Sequence, residues 1–289
     1  GDNWEFKNNS SDKTSGGLYV KIPNDDGENR TVSFGKNTQF IGNSSIWLGG
    51  ALGIEAAETV SLGDGALFQG NSSKADGGAV AVWTDSRNTS VTTGAVLNLG
   101  KTEFTGNTAA NRGGALANLN NDEVATAYFN TVNIGAGSLF TGNKAKNGGA
   151  VYNDGIMTIS GTTFKANEAS GLGGAIYSAN KSKLYVENSV FDNNNAVAEG
   201  ALVAGTNTLE TKIDNTVFSN NFAGDIGAVA LFGKAGVISN STFTGNRATY
   251  TLAERGDGAG ALFVGSVSQS QVLNTTFSDN ESGTVGGAV

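Results

Sequence analysis

The chain of 289 residues contains no cysteine and no histidine, and only one proline. Without cysteine there is neither a disulfide framework nor a thiolate site. Without histidine the commonest general base and a common metal ligand are both missing. A single proline and no three-residue period exclude a collagen-like chain, although 43 residues are glycine. No apolar run approaches the length of a membrane span. Basic residues are also few: the formal charge is −8 and the sequence pI about 4.6. Binding to nucleic acid, which is dominated by Lys and Arg neutralising phosphates, is disfavoured, as is attraction to an anionic membrane. With 38% hydrophobic residues a core is still affordable, so the glycines are expected at regularly placed tight turns.

What the sequence has is repetition, which decides the fold before any other feature is weighed. Phe followed three residues later by Asn occurs ten times: Phe6/Asn9, Phe40/Asn43, Phe68/Asn71, Phe104/Asn107, Phe140/Asn143, Phe164/Asn167, Phe191/Asn194, Phe218/Asn221, Phe243/Asn246 and Phe277/Asn280. The spacing between successive copies runs from 24 to 36 residues. Each Phe is followed, usually eight or nine residues on, by Gly-Gly-Ala-aliphatic, as in Gly49-Gly50-Ala51-Leu52 and Gly77-Gly78-Ala79-Val80. Further complete copies begin at Gly113, Gly148, Gly173 and Gly286. Glu199-Gly200-Ala201-Leu202, Ile226-Gly227-Ala228-Val229 and Ala259-Gly260-Ala261-Leu262 keep only the second Gly, and Gly16-Gly17-Leu18 lacks the Ala. A third apolar patch precedes the next Phe, for example Val96 to Leu99, Val132 to Ile134, Met157 to Ile159, Leu184 to Val186 and Gln271 to Leu273.

Three short alternating patches per repeat, separated by turn residues and without a sustained helical period, predict three short strands. A strand-only repeat of this length predicts an all-β, right-handed parallel β-helix of about ten coils, one repeat per coil. Coils about 4.8 Å apart would make a rod on the order of 50 Å long, with like residues in ladders. Phe40, Phe68, Phe104, Phe140 and Phe164 are then expected to stack inside. Asn43, Asn71, Asn107, Asn143 and Asn167 are expected at an inward turn, their amides pairing with one another and with the backbone. Gly50, Gly78, Gly114, Gly149 and Gly174, the second glycines, are expected to supply either positive φ or close backbone approach at a corner, with the following Ala in a narrow part of the core.

No linker interrupts the repeats, so residues 1–289 are taken as one β-helical unit. Gly1 to Phe6 lack the features of a signal peptide, and Gly286 to Val289 stop inside a repeat; both ends are expected to be cuts through a longer protein. Longer stretches between motifs, Pro23 to Arg30, Thr84 to Thr93, Asn118 to Ala127 and Arg247 to Gly258, are expected to protrude as loops.

The paired tetrapeptides resemble the repeats of the chlamydial polymorphic outer membrane proteins over essentially the whole chain. That resemblance implies type V autotransport: a β-helical passenger displayed on the bacterial surface and held by a C-terminal outer-membrane barrel. It implies an adhesin that meets a host-cell receptor, protein or glycan, with self-association as a further property and no membrane insertion of the passenger itself. The absence of cysteine departs from many chlamydial members and removes disulfide cross-linking into an envelope network.

Local candidate sites are few. Arg255-Gly256-Asp257 is an integrin-type tripeptide inside the one enlarged gap between a Phe and its Gly element; chance occurrence is the competing reading in a chain this rich in glycine. The cluster Asn24, Asp25, Asp26 and Glu28 offers carboxylate oxygens but no calcium-loop spacing, and is read, like Asp122 and Glu123, as a solvated turn. No metal or other cofactor is expected. Trp47 and Trp83 flank Gly-Ala elements, where they either pack at the rim or stack on sugar. The Phe, Asn and Gly of the repeat carry a structural reading, as builders of the coil, beside the adhesive one that the resemblance implies; burial in ladders favours the structural one. No catalytic residues are expected: the strand positions Ala79 to Val82, Ala115 to Asn118, Ala150 to Asn153, Ala175 to Ser178, Ala201 to Ala204 and Ala261 to Val264 hold none of the acids and bases that a polysaccharide-cleaving β-helix needs.

Overall fold

The computed structural model describes residues 1–21, 30–55, 58–84, 94–120, 129–179, 181–250, 258–265 and 269–289. The described residues are organised in four parallel sheets, two of ten strands and two of nine, each strand hydrogen-bonded to its counterpart one repeat away. This is a parallel β-helix. One coil shows the order: Gln39–Ile41 in sheet A, Ser44–Ser45 in sheet B, Leu52–Glu55 in sheet C and Glu58–Leu62 in sheet D. Sheets A and B each have ten strands, so the expected number of coils is found.

Register is set by the motif. Phe pairs with Phe from Phe6↔Phe40 at one end to Phe243↔Phe277 at the other. A one-residue slip would turn every Phe outward, so burial of one face locks the pairing. The rings form a continuous stack with centroids 4.5–5.0 Å apart. Phe40 through Phe243 in this ladder are fully buried. Each ring contributes about 1.5–3 kcal/mol from burial, with up to about 1.5 kcal/mol more from ring contact. Sheets C and D supply the rest of the interior through Leu52, Ile54, Val80, Leu97, Leu116 and their counterparts.

Four strands per coil replace the three expected. The additional one is the two-residue strand after each Asn, such as Thr108–Ala109 or Glu168–Ala169. It escapes a hydrophobic pattern because its single inward residue is small: Ser45, Ser73, Ala109, Ala145, Ala169, Ala196, Ala223 and Ala248 are all buried there. Some loop boundaries also move. Arg30 opens the strand Arg30–Phe34, Asn118 lies within Leu116–Leu119, and Arg247–Ala248 forms a short strand. Their side chains or backbones are claimed by ladders that a single-repeat pattern does not reveal.

Two polar ladders run along the coil, beside a shorter one from Asn118 through Asn153 to Ser178. In the Asn ladder, Asn107 donates its backbone N–H and its Nδ2 to Asn143 Oδ1, both at 3.0 Å, and its Nδ2 also donates to the Phe68 carbonyl at 2.9 Å. The same pattern links Asn43 to Asn71, Asn143 to Asn167, and onward to Asn246 and Asn280. Each internal amide is thereby satisfied on both ends, which is what makes a row of buried amides tolerable. The second ladder lies two residues before the repeat Phe from Thr102 onward; Trp4 and Ala66 hold that place before Phe6 and Phe68. Thr102 N–H donates to Ser138 Oγ at 3.0 Å, and Thr162 N–H to Ser189 Oγ at 3.1 Å. The hydroxyls donate in turn to a carbonyl two residues back, as Thr162 does to Ser160 at 3.0 Å.

The glycine corner divides its two tasks between the pair. The first glycine takes positive φ, +60° at Gly49 and +63° at Gly113. The second permits close approach: a Cβ on Gly114 would overlap the Gly149 carbonyl oxygen and sit 2.6 Å from Lys144 N. Gly200, whose preceding residue is Glu199, is the exception and takes positive φ itself, +52°. Ala51, Ala79, Ala115, Ala150 and Ala175 follow the corner and are fully buried.

Candidate functional site

The Phe and Asn of the repeat point into the coil, and the exterior is therefore built by other residues. Strand Val80–Trp83 shows how: Val80 and Val82 face the core, while Ala81 and Trp83 face outward. The tight glycine corner folds the preceding segment back onto this outer face of sheet C. The residues just before the corner form their own row of bridges, Leu48↔Asp76, Asp76↔Arg112 and Arg112↔Asn147. Small and aromatic outward residues fill the space between. Ala117, Leu119, Tyr152 and Ala179 form a buried cluster against Leu48, Trp83 and Tyr177. Val203, Ile226 and Ala230 form another against Tyr177, Phe232 and Phe263. Sheet C is thus packed on both faces, which the inward-facing pattern alone does not reveal.

Charged groups are embedded in this outer layer. Asp76 takes Arg112 in a bidentate pair, Nε to Oδ1 at 2.9 Å and Nη2 to Oδ2 at 2.7 Å. The Asp76 side chain is 7% exposed and that of Arg112 is 39% exposed. Arg112 also lies 5.0 Å from the centre of the Tyr152 ring. Its pKa is raised, first by the Asp76 hydrogen bond. Burial pushes the Tyr152 hydroxyl up to about 12, with the nearby Asp154 adding to the shift. Tyr177 is raised for the same reason, with Glu199 and Asp154 behind it. One coil before Asp76, Glu55 accepts from the Tyr19 hydroxyl and from Lys21 Nζ, the latter at 2.6 Å.

Asp76, Arg112 and Glu199 stand two or three residues before the strand windows read from sequence and Asp154 one residue after, and the windows themselves are uncharged. Both oxygens of Asp76 are occupied by Arg112, so it is held in an ion pair. No group of three or more Asp or Glu among the described residues is placed to hold a metal. An open groove of ≈ 720 Å³ follows the corner between sheets D and A, lined by Asn37, Gly65, Lys101, Glu103 and Gly137 among others. Its charged side chains Lys101 and Glu103 are exposed, and it holds no buried polar cluster.

Of the residues singled out in the sequence, Phe40, Phe68, Phe104, Phe140, Phe164 and Asn43, Asn71, Asn107, Asn143, Asn167 are all 0% exposed. Trp47 is 57% exposed, whereas Trp83 is half-buried and stacked parallel to Tyr19. Arg255, Gly256 and Asp257 lie outside the described residues, as do Asn24, Asp25, Asp26, Glu28, Asp122 and Glu123. The chain enters the 251–257 segment from Tyr250, whose hydroxyl donates to the Val197 carbonyl at 3.1 Å. It returns at Gly258, whose carbonyl accepts from Ser282 and Thr284.

The fold and its ladders define a parallel β-helical repeat protein, built from a Phe-x-x-Asn and Gly-Gly-Ala unit. Three segments, residues 101–118, 137–154 and 161–179, match the Chlamydia polymorphic membrane protein repeat. They are adjacent coils, and each carries one complete Phe, Asn and Gly set, Phe104 to Gly114, Phe140 to Gly149 and Phe164 to Gly174. The chain therefore carries repeats of the chlamydial polymorphic membrane protein type. A search of curated proteins gave no significant match, and a search of solved structures gave none either. No helix of the described residues is long and apolar enough to cross a membrane.

Proposed function

We propose that this chain is a passenger segment of a bacterial surface adhesin, carried outside by type V autotransport and attached through a C-terminal barrel beyond this sequence. The observation that supports it best is the match of three successive coils to the polymorphic membrane protein repeat, on a rod whose repeat residues are spent on the interior. Attachment then falls to what the rod carries outside. The longer connections 22–29, 85–93 and 121–128 each join a strand of sheet C to the next strand of sheet D. The described strand ends that bound these connections therefore lie along one edge of the coil, and connecting segments held on a rigid support commonly carry binding residues. The partner in this reading is a host-cell receptor, with Arg255, Gly256 and Asp257 as the first residues to test. Self-association of passengers is the second reading. Catalysis is not part of the proposal, since the acids on the outer face are held in ion pairs and hydrogen bonds.

Beads coated with the chain should bind host epithelial cells, and Asp257→Glu should reduce binding severalfold while the circular dichroism spectrum is unchanged. Undiminished binding by Asp257→Glu removes the tripeptide, and beads that fail to bind any host cell remove the adhesin reading for this segment. Concentration-dependent oligomers without cell binding would favour self-association.

A further inference from the structure

We infer that the outer face of sheet C in its first three coils is a binding site for a neutral pyranoside, with Tyr19 and Trp83 as its platform. The register places Tyr19, Gly53 and Ala81 in one outward row and Lys21, Glu55 and Trp83 in the next. Gly53 leaves a gap in the first row. A Cβ there would come within 2.9 Å and 3.0 Å of Trp83 Cη2 and Cζ3, so the indole occupies the space that any larger residue would fill. Reaching across coil two, it lies parallel to Tyr19, with ring centroids 5.8 Å apart and an interplanar angle of 2°. Tyr19 is 41% exposed, and Trp47, at the corner of coil two, is 57% exposed. The Glu55 side chain, 9% exposed, stands at the edge of the rings and holds Lys21 Nζ at 2.6 Å together with the Tyr19 hydroxyl. Below the indole, Ser15 Oγ is buried without a hydrogen-bond partner and points at the gap over Gly53.

An apolar surface of aromatic rings edged by fixed polar groups suits one class of small ligand in particular. A pyranose ring has an apolar face of C–H groups that packs on aromatic rings, and a rim of hydroxyls that both donate and accept. Lys21 Nζ, on a side chain 44% exposed, supplies donors, and the Glu55 carboxylate holds it in place. An apolar peptide would cover the carboxylate and the ammonium without giving them new partners, at a desolvation cost. An anionic glycan is disfavoured by the net charge of −8 and by the neutralisation of Lys21 by Glu55. The site uses none of Arg255, Gly256 and Asp257 and is tested without cells, so either reading can fail alone.

The test is saturation-transfer difference NMR on the whole chain with lactose and cellotriose as neutral probes and a heparin oligosaccharide as the anionic comparison. Saturable transfer is expected for at least one neutral probe, strongest at the C–H groups of one ring face. Tyr19→Ala and Trp83→Ala should each weaken binding about tenfold, while Trp4→Phe leaves it unchanged. Should Trp83→Ala disturb folding, Tyr19→Ala at the more exposed ring carries the test, with its melting temperature as the check on the fold. No saturable transfer from either neutral probe, equal transfer in Tyr19→Ala, or preference for the heparin oligosaccharide would overturn the inference. So would capture of a protein ligand that needs Tyr19 when neither neutral sugar binds.

Discussion

Replacing Asn143 by Asp changes a single amide nitrogen to oxygen in the middle of the ladder. The oxygen that accepts from Asn107 N and Nδ2, both at 3.0 Å, is retained. The other oxygen replaces a nitrogen that donates to the Phe104 carbonyl and to Asn167 Oδ1, both at 3.0 Å. An ionised carboxylate would face two acceptors at a fully buried position. Breaking a buried charged arrangement in this way costs roughly 3–5 kcal/mol. The protonated acid can restore one of the two donated bonds, leaving a deficit of about 1 kcal/mol. The introduced carboxyl is therefore held above its unfolded value by burial and by the two acceptors that face it. A group with a raised folded pKa contributes its stability below the unfolded pKa and loses it as pH rises toward the folded one. The variant should lie close to wild type near pH 3.5 and lose stability as the pH rises from about 4 toward 7. Urea unfolding followed by far-UV circular dichroism at the two ends of that range measures it. A variant within about 1 kcal/mol of wild type at pH 7, or a loss equal at both pH values, would refute the role given to the ladder.

Other substitutions follow from the corners. Ala166 stands at φ +52° where Gly42, Gly70, Gly106 and Gly142 occupy the same place in other coils, so Ala166→Gly should raise stability by about 1 kcal/mol in the same urea experiment. Gly114→Ala should cost about 3 kcal/mol or more, because its Cβ would meet the Gly149 carbonyl of the next coil. Gly142→Ala should cost only about 1–2 kcal/mol, since the space beside it is open and only its φ of +62° is unfavourable.

The coil architecture could be read from the sequence because its determinants recur at fixed offsets: Phe, Asn three residues on, then the glycine corner. The fourth sheet was not read, since Ser45 or Ala109 at a two-residue strand gives no alternation to detect. Its signal was nevertheless present, as Ser or Ala stands two residues after each Asn of the repeat. The hydroxyl ladder was similarly visible in retrospect, as Thr38, Thr102, Ser138, Thr162 and Ser189 two residues before a Phe. The outer layer of sheet C was the least legible. Asp76, Arg112 and Tyr152 meet only because three coils stack, and nothing in the distance between them along the chain marks that contact. Trp83 stands out in sequence as an aromatic beside a Gly-Ala element, but its partner Tyr19 lies two coils earlier and is brought to it across Gly53.

The division between an interior built by the repeat and an exterior that makes contact is tested most directly by measuring cell adhesion against folded fraction in Asn143→Asp across the pH range in which its stability changes. If Phe and Asn act only by holding the coil, adhesion relative to wild type at the same pH should follow the folded fraction, and a fully folded variant near pH 3.5 should adhere as wild type does. Loss of adhesion by a variant that is fully folded at that pH would contradict the division and make the repeat asparagine itself a contact residue.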